Sequence, residues 1–212
     1  MARKHLVLTI LLLVISLSFN SGCGSGSANV TPTPDPSIVW ADDFEDGDYE
    51  GWEEDDPGWY VKEGVLTSGP DSANPIIHES NVAAGTWSFD LNFDNASYYS
   101  ICLSCDQDFR NGFGINTVTM DNTLVALNTI TDGTFRSPAA EADLGKKLTG
   151  WNHFDITRDA SGNSKIYLDG ELVLEYKDDV TISPQLFFLD VEDLGLAFDN
   201  LVVRDQVIAI QP

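Results

Sequence analysis

Basic residues are scarce in this chain of 212 residues: 11 Lys and Arg stand against 34 Asp and Glu, a formal charge of -23. No run of Lys or Arg offsets that charge anywhere, so phosphate backbones and anionic headgroups are repelled and nucleic acid is excluded as a partner. Long apolar runs are missing as well. The longest, 6–19, has 14 residues, short of the roughly 20 that span a bilayer. No stretch of ten or more residues carries apolar positions at helical spacing, internal repeats are not evident, and no complete catalytic constellation stands out. What is present is a hydrophobic content of 42%, enough for one good-sized core in a chain of this length.

The first residues have a separate task. Arg3, Lys4 and His5 precede the apolar run, and Ser21, Gly22, Cys23, Gly24 and Ser25 follow it, the three-part layout of a secretory signal. Gly22-Cys23 after such a run resembles the lipobox of bacterial lipoproteins, in which the Cys becomes the lipidated N-terminus. Asn20 stands where that pattern carries an apolar residue, and cleavage near Ala28 is the other processing the sequence allows. The lipobox reading makes 1–22 a signal peptide and predicts an exported protein, held at the cell envelope through lipid on Cys23. Residues 23–36 are rich in Gly, Ser, Thr and Pro with little that could bury apolar area, and Pro32, Pro34 and Pro36 favour an extended spacer. A folded domain is expected over 37–212.

Within it, period-two alternation recurs. Residues 86–94 read T-W-S-F-D-L-N-F-D, which sends Trp87, Phe89, Leu91 and Phe93 to one face and Ser88, Asp90 and Asn92 to the other. Ile166 and Leu168 are expected inward, as are Leu172, Leu174 and Tyr176 on the next segment. Between the two lies Asp169-Gly170, a strong hairpin signal. Further strands are expected at 59–62, 65–68, 75–79, 98–103, 113–119, 124–130, 151–158, 185–191 and 196–203. About a dozen short strands separated by Gly, Asn and Asp predict an all-β fold of two stacked antiparallel sheets, a jelly-roll sandwich.

Three segments carry a resemblance. Asp43-Phe44, Trp52 and Gly58-Trp59-Tyr60-Val61-Lys62-Glu63-Gly64-Val65-Leu66 resemble the opening of concanavalin A-like lectin/glucanase domains. Trp151-Asn152-His153-Phe154-Asp155-Ile156, with Lys165-Ile166-Tyr167-Leu168-Asp169-Gly170 after it, is similar to a laminin-G-like hairpin. Phe198-Asp199-Asn200-Leu201-Val202-Val203 resembles the closing strand of the same superfamily, including its 3-keto-disaccharide hydrolase-like group. These matches specify strands and turns, and so imply fold more than activity.

Retaining glucanases of that superfamily carry paired acids on one strand, at E-x-D-x-E or E-x-D-x-x-E spacing, so that alternate carboxylates share a face. Here Glu141-Ala142-Asp143 supplies half of the motif and Lys146 stands where the second Glu belongs. His78 and His153 lack a nucleophile-elbow context. Asp42, Asp43, Glu45, Asp46 and Asp48 crowd five carboxylates into seven residues, an oxygen-rich setting suited to Ca2+. The resemblance implies a structural Ca2+ where the first and last strands meet, with Asp43, Glu45, Asp48 and Asp199 as ligands. A solvated acidic loop is the alternative. Cys102 and Cys105 form a local disulfide only if the chain turns after Cys102, because three extended residues span about 10 Å. Export favours the oxidised pair.

For ligand contact, aromatic and polar residues on an outward sheet face suit a sugar ring and its hydroxyls. One of the adjacent Tyr98 and Tyr99 must point outward, Tyr167 alternates with inward Ile166 and Leu168, and Asp90 is outward by the same parity. These four are the expected glycan-binding residues. The sequence thus predicts a surface-tethered, noncatalytic lectin-like module for glycans or other extracellular polymer. A divergent glycosidase with acids on separate strands and a structural envelope domain are the alternatives.

Overall fold

The computed structural model describes residues 35–54, 58–69, 75–94, 99–117, 122–191 and 196–211. Cys23, the tether as far as residue 34 and Tyr98 lie outside the described residues. In chain order the strands are β1 (Ile38–Asp42), β2 (Trp52–Glu54), β3 (Trp59–Lys62), β4 (Val65–Ser68), β5 (Ile76–Glu79), β6 (Gly85–Asn92), β7 (Tyr99–Cys105) and β8 (Gly112–Thr117). They continue with β9 (Leu124–Thr131), β10 (Thr134–Asp143), β11 (Trp151–Arg158), β12 (Asn163–Leu168), β13 (Glu171–Lys177), β14 (Leu186–Val191) and β15 (Ala197–Arg204).

They form two antiparallel sheets. The first has the order β13-β12-β11-β6-β15-β4-β3, with β1 also paired to β15, and the second has the order β10-β9-β8-β7-β14-β5-β2. The fold is the expected all-β jelly-roll sandwich. Tight turns set the hairpins. Asp169-Gly170, Glu63-Gly64 and Asp132-Gly133 each place both residues at positive φ, the backbone that two-residue hairpins with the natural strand twist require.

Alternation sorts the faces. Trp87, Phe89 and Leu91 of β6 are fully buried, while Ser88 and Asp90 lie on the other face. Aromatic rings tie the sheets together: Trp87 meets Phe113 of the second sheet edge-on at 5.2 Å, and Phe198 of the first packs 6.5 Å from Phe187 of the second. Leu172 departs from the expected inward face and is 46% exposed. A register break between Ile166 and Tyr167 sets Leu172 opposite Tyr167 rather than in phase with Leu168, and one residue of slip reverses a strand's faces. The sequence gives no alternation for β10, which contains Pro138. As an edge strand it can hold a proline without breaking an interior ladder. One ion pair is interior. Arg158, at the end of β11, is bound by both carboxylate oxygens of Asp178 at 2.7 Å and lies 4.7 Å over the Phe113 ring.

Candidate functional site

The outward faces of the two sheets carry different chemistry. On the first sheet, Asp90 pairs across strands with His153 and with Asp199, and Ser88 with Asp155 and Val202. Tyr167 pairs with Asp155. His153 Nδ1 lies 2.6 Å from Asp90 Oδ1 and Nε2 lies 3.4 Å from Asp155 Oδ2. Ser88 Oγ donates to Asp155 at 2.6 Å, and Asn200 Nδ2 to Asp90 at 2.8 Å. Asp155 and Asp90 hold the His153 imidazole up at a pKa of about 9 against partial desolvation. Burial disfavours the Asp155 charge, yet the His153 and Ser88 bonds outweigh it and hold the carboxyl below the usual range. Partial burial raises Asp199, with the charges of Asp90, Glu45 and Asp43 adding to it. A shallow hollow of about 520 Å³ beside this network is lined by His153, Asp155, Arg204 and the C-terminal residues 208–211.

Of the four expected glycan-binding residues, Tyr98 lies outside the described residues and the other three divide between two environments. Asp90 and Tyr167 share the outer face of the first sheet. Tyr99 is fully buried between the sheets, its ring edge-on to Phe93 and Phe154, so it is core rather than an outward platform; burial raises its phenol pKa. Among the described residues no three His, Cys, Asp or Glu are grouped as a metal-binding set, although Glu45 and Asp43 lie near enough for their charges to raise Asp199. Asp43 Oδ1 caps the Glu45 amide and Asp48 Oδ1 the Glu50 amide, which turns these carboxylates back onto their own loop.

Cys102 and Cys105 are joined. The chain does not leave the strand after Cys102, as the spacing had required. Instead β7 carries register breaks toward β8 between Cys102 and Ser104, and toward β14 between Leu186 and Phe188. This bulge shortens the Cα separation to 6.6 Å, within bridging range.

That bulge lies in a groove on the outer face of the second sheet. Cross-strand partners share a face, and the register lines up Asn128 of β9, Gly114 of β8, Cys102 of β7, Phe188 of β14 and Ile77 of β5 in one row. The neighbouring row holds Glu141, Ala126, Asn116, Ser100 and Asp190. Asn128 and Asn116 are only 3% and 4% exposed although they point away from the core. Asn116 Nδ2 donates to Ser137 on the bulged part of β10. The Oδ1 atoms of Asn128 and Asn116 are buried without a hydrogen-bond partner, a costly state for an amide carbonyl.

Beside them stands an aromatic pair. Phe109 packs edge-on against Phe188 at 5.4 Å and is 40% exposed. Its φ of 53° is a strained backbone for a bulky residue. The loop that holds it is bound through Asp106, whose carboxylate accepts from the Arg110 and Asn111 amides and from Asn111 Nδ2. Desolvation opposes the Asp106 charge, but those hydrogen bonds prevail and lower its pKa. Sequence reasoning missed Phe109, Phe188, Asn116 and Asn128. The parity argument applied to Tyr98-Tyr99 fits Phe187-Phe188 equally, and turn-forming residues around Phe109 mark an aromatic displayed on a loop.

The fold is that of a concanavalin A-like lectin/glucanase domain. Residues 39–204 match the 3-keto-alpha-glucoside-1,2-lyase-like domain family, and the chain belongs to it. Among solved structures it is similar to the carbohydrate-binding module CBM66 from Bacillus subtilis, at 22% identity and a TM-score of 0.60, covering 73% of this chain and 95% of that one. It is similar to a Bacillus licheniformis beta-glucanase at 13% identity and 0.61, covering 78% and 97%. A laminarinase from Flavobacterium sp. UMI-01 aligns at 10% identity and 0.61, covering 79% and 99%. No curated protein matches the sequence.

Proposed function

We propose that this domain binds a glycan in the groove on the outer face of the second sheet and does not cleave it there, and that lipid on Cys23 tethers it to the envelope surface. The observation that carries the reading is the Phe188–Phe109 pair displayed on that face. A sugar offers its C–H face to such a pair. The similarity to a carbohydrate-binding module and to two glycan hydrolases supports glycan contact. Against cleavage stands the spacing of the acids. Asp190 and Glu141 share a row four strand spacings apart, about 19 Å at the usual 4.8 Å per strand. Glycosidase carboxyls lie about 5 to 9.5 Å apart.

One observation favours a second reading, a sugar-cleaving site on the opposite face. His153 lies between two carboxylates beside the larger hollow, where an imidazolium could act as general acid. Affinity electrophoresis against neutral polysaccharides, with product release measured on the same substrates, separates the two. Phe188→Ala is expected to weaken retention about tenfold, as loss of a stacking ring costs on the order of 1 kcal/mol or more, while wild type releases no product. Release that disappears in His153→Gln and persists in Phe188→Ala would replace the binding module with an enzyme.

A further inference from the structure

The outer face of the first sheet displays an aromatic of its own. Of the five tryptophans in the chain, Trp52, Trp59 and Trp87 are buried and Trp40 is half-buried, whereas Trp151 is 47% exposed. Its parity is outward: it stands opposite Asn92 of β6 and two residues from His153 on β11. The backbone beneath it is braced from both sides. The Phe93 amide donates to the Gly150 carbonyl and the Gly150 amide to Asp94 Oδ1, each at 2.9 Å. Buried Asn152 donates through Nδ2 to the Thr149 and Gly150 carbonyls. A large ring held out to water adds little to the fold, and a fixed backbone beneath it lowers the ordering cost of a contact. Exposed tryptophans so placed are common anchors of binding surfaces.

The groups around the ring choose among ligands. Asn92 Oδ1 accepts the Asp94 amide at 2.9 Å, which leaves Nδ2 as the donor, and Asp94 adds a carboxylate acceptor. Ala197, on the far side of Asn92, carries only a methyl. A cationic ligand is opposed by His153, which Asp90 and Asp155 hold in its charged form at neutral pH. An anionic one is opposed by the net charge of -23. What suits the surface is a neutral molecule with an apolar face for the indole and hydroxyls that both donate and accept. Extending the glycan-binding reading above, on which it rests, we propose that Trp151, with Asn92 and Asp94, forms a second platform for a neutral sugar ring. The two sheets pack about 10 Å apart, and this platform faces away from the Phe188–Phe109 groove, so one straight glycan chain cannot touch both. The domain therefore bridges two chains and is retained more strongly by a dense polymer than by a short oligosaccharide.

The test titrates laminarihexaose, cellohexaose and mannohexaose into the full chain by calorimetry, and follows turbidity when the chain is mixed with the corresponding polysaccharides. The oligosaccharide that binds is expected to fill two sites in wild type and one in either Trp151→Ala or Phe188→Ala, each substitution weakening its own site by about tenfold or more. Turbidity, which needs both sites, should disappear in each variant. Iodide quenching reads the ring itself: bound oligosaccharide should shield part of the wild-type fluorescence from iodide and none of that in Trp151→Ala. A single site lost in Phe188→Ala and untouched by Trp151→Ala would overturn this inference and leave the groove reading standing. A single site with the opposite pattern would uphold the platform, end the bridging and move the glycan off the second sheet. Failure of every oligosaccharide and polysaccharide to bind would overturn both readings. A wild-type dimer in sedimentation that Trp151→Ala makes monomeric would give the ring to self-association and overturn the platform.

Discussion

At His153 one imidazole is held by two carboxylates from neighbouring strands, and its protonation is built into the first sheet. Its pKa of about 9 lies above the ordinary value near 6.5, so the stabilisation is complete below about pH 6.5 and is lost as pH rises through 9. The His153 ring protons are expected to titrate near pH 9 by NMR, and Asp155→Asn should bring the midpoint down toward 6.5. A wild-type midpoint already near 6.5 would mean that the pair does not form. The residues on this face were legible, because parity alone sends Asp90 and Tyr167 outward. Asn128 was not. It is 3% exposed on an outward face, and nothing next to it in sequence marks it as enclosed. The same parity placed one of Tyr98 and Tyr99 outward without deciding which, and packing put Tyr99 in the core.

β7 shows where reading a strand from its own sequence stops. Alternation located it, and the spacing of Cys102 and Cys105 was correctly judged too long for a straight strand. The remedy, a bulge within the strand, depends on how β8 and β14 pair with it on either side. β10 was missed for a related reason: edge position and a bulge near Pro138 excuse it from the rules that interior strands follow. The disulfide closes so short a loop that its effect on the unfolded chain is worth about 2 kcal/mol. Replacing both Cys102 and Cys105 by Ser is expected to lower stability by about that amount in urea unfolding followed by tryptophan fluorescence. An unchanged midpoint would show that the ladders alone hold the bulge.

For the molecule as a whole, the proposed membrane attachment and the proposed glycan contact fall in separate parts of the chain. Cys23→Ser is therefore expected to move the protein from the membrane to the soluble fraction while leaving glycan retention intact. Unchanged fractionation would remove the lipid anchor. The strand that unites the first sheet is the last one made. β15 pairs with β1, β4 and β6 at once, so residues 38–42 meet partners from the other end of the domain. Few of these contacts are local, and loop closure has to precede them, which places folding in the slow range of milliseconds to seconds typical of sandwiches. While the chain is being synthesised, β1, β4 and β6 have no central partner until residue 204 has emerged. Until then their edges stay open to pairing with other chains. Premature termination before β15 should therefore yield a chain prone to aggregate rather than a smaller folded domain.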